Sequence, residues 1–292
     1  MHLATGEYYA IKVLSKQLIF QKDRIMKVFN EKSIMSSIRF EFLAQLDYFF
    51  QDHNFLYFAT PYCPGGDLYT QLRKYKQFPE MVAKFYIAQI TLALEYLHSL
   101  SLIHRDVKPE NVVIGFDGYI KLTDFGFSKR VVGRTYSFCG TAEYIAPEIL
   151  KGEGYGFAVD WWAMGIMLYE LIFGRSPFEN KNRLKIFSLI QSGDYRFPQG
   201  QWSSSDVRDL IDELLQNNYT KRLGNLKGGA KDIKNHPFFH DLDWKELLKK
   251  RIRPPFKPKM KSIRDSSHFS KVPFDQLVKA QDNFKDYFSI LD

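Results

Sequence analysis

The sequence predicts an α+β protein built as two lobes and a tail. Three observations carry this. Residues 7–62 hold short apolar runs rich in Tyr, Ile, Val and Phe, the composition of strands. Pro64-Gly65-Gly66 then breaks the pattern. Beyond the break, longer apolar segments of helical length dominate as far as residue 240. The division follows: a small strand-rich lobe with its hinge over 1–62, a larger helical lobe over 63–240, and a Pro- and Lys-rich tail over 241–292.

The first element is a strand over Glu7–Leu14. Side chains alternate along a strand, so Tyr8, Ala10 and Lys12 share one face. A helix follows over Asp23–Ile38, with Asp23 as its N-cap. On it Lys27, Glu31 and Met35 fall four residues apart and share a face. Leu43–Gln51 and Asn54–Tyr62 are two apolar runs joined by polar residues, the pattern of a hairpin. In the second lobe Glu80–Leu100 reads as a long amphipathic helix with Pro79 near its start, and Asp160–Gly174 as a buried one. Asn182–Ser192 and Ser205–Gln216 read as two more, and the tail from Asp241 is expected to lie extended around the body.

Composition narrows the function classes. The 292 residues are 45% hydrophobic and 25% charged, enough for a sizeable core. Two cysteines, Cys63 and Cys139, imply no disulfide framework and suit a reducing compartment. No charged stretch followed by an apolar run opens the chain, so no signal peptide is expected. The most apolar stretch, Trp161–Gly174, is too short to span a bilayer and contains Glu170. The protein is therefore expected in the cytoplasm, with the nucleus as a second compartment. Trp244 to Arg264 hold nine Lys or Arg and one acid, Glu246. That run fits a solvated tail on a surface, or more sharply a patch for a membrane or nucleic acid. The first is taken, so no nucleic-acid partner is expected, and the net charge of +8 alone is weak ground for one.

Chemistry begins at His104-Arg105-Asp106-Val107-Lys108-Pro109-Glu110-Asn111. Moving a phosphoryl group needs a carboxylate to orient the attacking hydroxyl, a cation near the phosphate and ligands for Mg²⁺. Asp106, Lys108 and Asn111 supply these within one loop. Val112-Val113-Ile114 reads as a strand, Asp117-Gly118 as a tight turn, and Ile120–Thr123 as a second strand that delivers Asp124-Phe125-Gly126. A carboxylate at a strand end, beside a glycine that allows a sharp turn, suits a hard cation. The six fixed positions of the first motif would coincide by chance in on the order of one window in 10⁸. Further runs are Tyr9-Ala10-Ile11-Lys12, Asn30-Glu31-Lys32, Cys139-Gly140-Thr141, Ala146-Pro147-Glu148, Asp160-Trp161-Trp162 and Arg222-Leu223-Gly224-Asn225.

Together these motifs resemble the eukaryotic protein kinases over essentially the whole chain. Within them the sequence is most similar to the AGC group and its cyclic-AMP-dependent catalytic subunits. The resemblance implies a bilobal protein-kinase fold and Ser/Thr kinase activity with ATP and Mg²⁺. It makes Asp106 and Lys108 catalytic, and Asn111 and Asp124 metal ligands. Lys12, paired with Glu31, would hold the α- and β-phosphates. Ala10 and Val113 would sandwich the adenine, with Thr60, Tyr62 and Cys63 along the hinge and Thr123 and the tail's Phe269 completing the ATP site. Thr60, a small residue, implies a roomy pocket. Met35, Leu46, His104 and Phe125 match the family's apolar stack, and Glu148 and Arg222 its buried ion pair.

Regulation and substrate choice are implied in the same way. Ser137 occupies the activation-loop phosphosite, with Arg105, Lys129 and Lys27 as its cations and Arg134 three residues before it. Asp67, Glu110 and Glu170 would recognise arginines at −3 and −2 of a substrate, and Phe138, Ala142 and Ile145 the residue after the target. Partners implied are proteins with basic motifs and a cyclic-nucleotide-binding regulatory subunit. Phe284 and Phe288 resemble a hydrophobic motif that docks on the small lobe. Five positions depart from the pattern: Lys27 replaces a usual His, Asp67 a Glu, Ser137 a Thr and Ala142 a Pro, and Pro61, which has no N–H to give, is unusual in the hinge. Lys12 is only the twelfth residue, so the family's glycine-rich loop, which precedes it, falls outside this sequence. The expectation drawn is weak nucleotide binding, an unstable small lobe and a large lobe that still folds. The alternatives are an impaired kinase fold serving as a scaffold, or a cyclic-GMP-dependent or other AGC kinase.

Overall fold

The computed structural model describes residues 1–3, 5–269, 288 and 291. In the small lobe β1 (Tyr9–Ser15) runs antiparallel to β3 (Phe55–Pro61), from Tyr9 opposite Pro61 to Ser15 opposite Phe55. β2 (Tyr48–Gln51) pairs with the other edge of β3. The central strand buries Phe55, Leu56, Phe58 and Ala59. The hairpin expected from Leu43 forms only from Tyr48. The earlier part of that run crosses to the large lobe instead, where Ala44 N donates to Leu122 O (2.9 Å) and Leu122 N to Phe42 O (2.8 Å). Phe42 and Leu43 are fully buried there. An apolar run reads alike whether it fills a sheet or an interlobe joint.

Two helices flank this sheet. α1 (Lys16–Gln21), too short to show a period, is capped by the Ser15 hydroxyl, which accepts from Leu18 N (3.4 Å). α2 (Ile25–Ser37) starts later than expected, and Asp23 is not its cap. Asp23 sits at φ 49° in a turn, its N–H bonded to Phe20 O, and the helix opens from Arg24 without a side-chain cap. Asp is one of the few residues that tolerate this left-handed conformation.

The large lobe holds α3 (Leu68–Tyr75), α4 (Glu80–Ser99), β4 (Leu102–Ile103), β5 (Val112–Ile114), β6 (Ile120–Leu122), β7 (Lys129–Arg130), α5 (Pro147–Leu150), α6 (Ala158–Phe173), α7 (Arg183–Ser192), α8 (Ser205–Leu214), α9 (Ala230–Lys234) and α10 (Trp244–Leu248). Every residue of α6 is buried, as a helix apolar all round requires. It packs against α4 and α8 to make the core. Side-chain caps start the outer helices: Asn182 for α7 and Ser204 for α8. Two short antiparallel pairs, β5–β6 and β4–β7, frame the loops that carry the motifs. Glu148 and Arg222 form a two-pronged pair at 2.7 and 2.9 Å.

The tail crosses the large lobe back to the hinge. Phe256 packs on Tyr75 and Phe78, with ring centroids 5.1 and 5.2 Å away, and Tyr62 donates its hydroxyl to Asp265 O (2.7 Å). Phe288 is buried, with the Lys16 ammonium 5.5 Å from its ring; Phe284 lies outside the described residues. Among the described residues no helix is long and apolar enough to cross a membrane.

Candidate active site

The loop between β4 and β5 is fixed from inside the core. Asp160, in the first turn of α6, is fully buried. It accepts from His104 N (2.9 Å), Arg105 N (2.8 Å) and His98 Nε2 (2.8 Å). Burial alone would push its carboxyl up; the bonds and charges of His98, His104 and the Arg105 amide outweigh that and hold it below the usual range. Held this way, Arg105 keeps φ at 68°, a strained backbone at the head of the loop. The sequence motif gave Asp160 no role. The signal was there: a carboxylate in an otherwise apolar helix must find partners.

That loop presents Asp106, itself only 3% exposed. Its Oδ1 accepts from Thr141 Oγ1 (2.8 Å), and its Oδ2 faces Lys108 Nζ (2.8 Å) and Asn111 Nδ2 (2.9 Å). Lys108 also donates to Thr141 Oγ1 (2.7 Å), which closes the ring. Asn111 Nδ2 donates to Asp106 O as well (2.8 Å), so the amide oxygen of Asn111 is left to accept elsewhere. Thr141 was expected only as part of a motif and is a direct partner of the carboxylate.

Asp124 follows β6 at φ 59°, its Oδ1 accepting from Gly126 N (3.3 Å). A Cβ on Gly126 would stand 3.1 Å from that oxygen, a tight contact that the Asp124 side chain would have to yield to. Lys12 Nζ lies 2.7 Å from Glu31 Oε1 and 3.5 Å from Asp124 Oδ1. Burial works to lower the Lys12 pKa, but the Glu31 and Asp124 charges together raise it. Burial likewise opposes ionisation of Asp124, and Lys12 and the Gly126 amide hold its carboxyl low. All three side chains line one cleft with Lys27 and Phe127. Behind it, His104 and Phe125 meet edge to face at 5.4 Å, and Leu46 N bonds Met35 O (3.3 Å). A half-exposed carboxylate and a free amide oxygen fit a Mg²⁺ ion that keeps water and phosphate oxygens for its other positions.

Ala10 stands opposite Thr60 in the sheet, and the hinge is stitched to β5 by Gly65 N to Ile114 O and Ile114 N to Gly66 O (both 2.9 Å). Val113 bridges Asp67, and Thr123 bonds Asn111 O through both N (2.8 Å) and Oγ1 (3.1 Å). Phe269 leans on Tyr62 at 5.8 Å. Burial pushes the Cys63 thiol up to about 11, which makes it inert packing.

Ser137 is exposed, and its carbonyl accepts from Tyr155 Oη (2.6 Å), to which Arg105 donates (3.2 Å). Arg105 Nε also donates to Phe127 O, and Lys27 lies 3.9 Å over the Phe127 ring. Lys129 donates instead to buried Thr135 (3.0 Å). Sequence reasoning missed Tyr155, whose hydroxyl ties this segment to the catalytic loop through Arg105, and Thr135, whose hydroxyl ties it to Lys129 on β7.

The acidic residues divide. Glu170 is buried beside Tyr144, which donates to it, and Arg73 at 3.3 Å. Burial, with the charges of Glu110 and Glu143, raises its carboxyl above the usual range despite those partners. Glu143, not foreseen, is raised by burial and by Glu179 and Glu110. Asp67 caps α3, with Oδ1 accepting from Thr70 N (2.7 Å) and Oδ2 from Thr70 Oγ1 (2.9 Å). Ala142 opens a short turn, Ile145 is buried, and Phe138 projects into solvent with Phe187 at 6.4 Å.

Residues 1–239 match the family described as protein kinase domain. The chain is 45% identical over 274 residues to a cAMP-dependent protein kinase catalytic subunit of Dictyostelium discoideum, covering 94% of this chain and 42% of that protein. It is 41% identical over 266 residues to the cAMP-dependent protein kinase catalytic subunit PRKX of Homo sapiens, covering 91% and 74%. It is also 41% identical over 278 residues to the cAMP-dependent protein kinase catalytic subunit 2 of Drosophila melanogaster, covering 94% and 78%. The chain thus spans less than half the length of the first of these relatives.

Proposed function

The chain belongs to the protein kinase domain family, among serine/threonine kinases of the cAMP-dependent type, and from that premise we propose that it transfers the γ-phosphoryl group of ATP, with Mg²⁺, to Ser or Thr of proteins with Arg at −3 and −2. The observation that carries this reading is the closed ring around Asp106, which fixes both carboxylate oxygens in one orientation.

In this mechanism the substrate hydroxyl donates to Asp106. Its oxygen bonds to the γ-phosphorus, the bond from that phosphorus to the ADP oxygen breaks, and the hydroxyl proton passes to Asp106. Lys108 stabilises the negative charge on the group in transit. Lys12, kept charged by Glu31 and Asp124, holds the α- and β-phosphates. The Asn111 amide oxygen and the Asp124 carboxylate would hold Mg²⁺, which would neutralise phosphate charge there. Ala10, Thr60, Tyr62, Cys63, Val113, Thr123 and Phe269 surround the adenosine. The Glu110–Glu143–Glu170 recess, whose like charges repel, gains most from an arginine brought by the substrate. A phosphate on Ser137 would draw Arg105, Lys129 and Lys27 together. A cyclic-nucleotide-binding regulatory subunit is the partner proposed, and the cytoplasm the place, with the nucleus second.

The test is phosphate transfer from Mg-ATP to an Arg-Arg-x-Ser-hydrophobic peptide. Asp106→Asn is expected to lower it by about 10²-fold or more. Nucleotide binding without any transfer by the wild-type chain would replace this reading with that of a scaffold.

A further inference from the structure

The tail meets the hinge beside Phe269 through residues that belong to none of the motifs. Gln71 on α3 is fully buried. Its amide nitrogen donates to Gly65 O (2.8 Å), which decides which way round the amide lies, because the turned amide would set its oxygen against that carbonyl. The same nitrogen stands 3.0 Å from His268 Nδ1, so Nδ1 accepts. The ring proton then belongs on Nε2, which donates to Lys259 O (3.0 Å). One neutral tautomer satisfies all three bonds. The base of the imidazole fills the space beside Gly66, where a Cβ would meet His268 Cβ at 2.8 Å.

We propose that His268 is a positioning residue for the nucleotide site: it clasps tail residues 259–269 to the hinge through Gln71 and Gly66, and the closed clasp sets how tightly ATP is held. This rests on reading the cleft as an ATP site. His268 immediately precedes Phe269, which leans on Tyr62, and Tyr62 in turn bonds Asp265 O. Opening the clasp therefore frees the aromatic that closes the adenine end. Gln71 is fully buried, so losing the Nδ1 acceptor leaves an amide N–H unsatisfied beside an Oε1 that has no partner among the described residues.

Two measurements on the full chain test this: nucleotide affinity by titration with Mg-ATP, and the rate of tryptic cleavage between Lys257 and Arg264. His268→Ala is expected to weaken ATP binding by about 3- to 10-fold and to speed cleavage, with kcat and peptide KM unchanged. In His268→Asn an amide oxygen takes the place of Nδ1 and gains no proton. That variant should recover most of both effects. Equal ATP affinity in wild type and His268→Ala overturns the proposal, whether or not cleavage changes, and so does an Asn variant that recovers neither effect. A wild-type chain that binds no ATP, with His268→Ala still cleaved faster, would instead show that the clasp exists and the ATP-site reading fails.

Discussion

One carboxylate–cation pair from each lobe, Glu148–Arg222 and Lys12–Glu31, sits in different surroundings. Glu148 and Arg222 are 2% and 0% exposed, doubly bonded, and the remaining guanidinium N–H groups reach Ala158 O and Gln216 O. The guanidinium also lies over Trp162 at 5.0 Å. Lys12 and Glu31 meet through one bond, and the lysine side chain is 44% exposed. The first pair cannot part without leaving a charge in an apolar core. In the second, water reaches the lysine but not Glu31, whose side chain is 6% exposed, so only one of the two charges is hydrated when they part. The lobe that carries Asp106 is the one whose pair lies wholly in the core, and the lobe that carries Lys12 is joined by a pair with its cation facing water.

The largest effect that would break this comparison is expected at Arg222. Arg222→Ala should lower stability by about 3–5 kcal/mol in chemical denaturation, and a double variant with Arg222→Met and Glu148→Gln should recover much of it. No recovery would mean that geometry, rather than stranded charge, fixes the lobe. Asp160→Asn comes next, at about 2–3 kcal/mol near neutral pH, because it replaces an ion that holds two loop amides. The sign with pH follows from its depressed carboxyl. Its contribution is present above the ordinary carboxylate value of about 3.9 and is lost as pH falls through its lower folded value, so the two unfolding curves should converge only in acid. Lys12→Ala should abolish ATP binding and cost less stability than Arg222→Ala, because its own side chain is 44% exposed although Glu31 is left buried without it. A loss matching that of Arg222→Ala would sink the distinction between the two pairs. Smallest is Glu170, a buried carboxylate whose partner Arg73 is 52% exposed. Its raised carboxyl takes up a proton at higher pH than an ordinary one, so KM for arginine peptides should rise about 3-fold as pH drops toward that range. Glu170→Gln should show a flat profile in the same assay.

How much of this the sequence showed depended on how locally each feature is encoded. The His104–Asn111 and Asp124–Gly126 runs were readable because their working groups sit within one loop or turn. Lys12 and Glu31 could be paired from strand and helix phase, and the structure brings them to 2.7 Å. Asp23 misled because a capping residue and a turn residue are the same kinds of side chain, and backbone φ, which sequence does not display, decides between them. Asp67 was placed at the substrate by resemblance, yet its shorter side chain reaches back to Thr70. Gln71 and His268 were invisible because they lie 197 residues apart and neither belongs to a motif.

The joint at Phe42–Ala44 has a mechanical meaning. Its two backbone bonds to Leu122 pin the chain just past the C-terminal end of α2, so the 13-residue helix behaves as a lever with its fulcrum on the large lobe. At about 1.5 Å per residue, Lys27 lies roughly 15 Å out along the arm, and a swing of about 10° displaces it by roughly 2.5 Å. Glu31, nearer the pivot, moves about half as far, enough to part a 2.7 Å contact. Torque applied at the outer end of α2, where the Lys27 ammonium rests on the Phe127 ring, is thus geared down into a fine adjustment at Lys12.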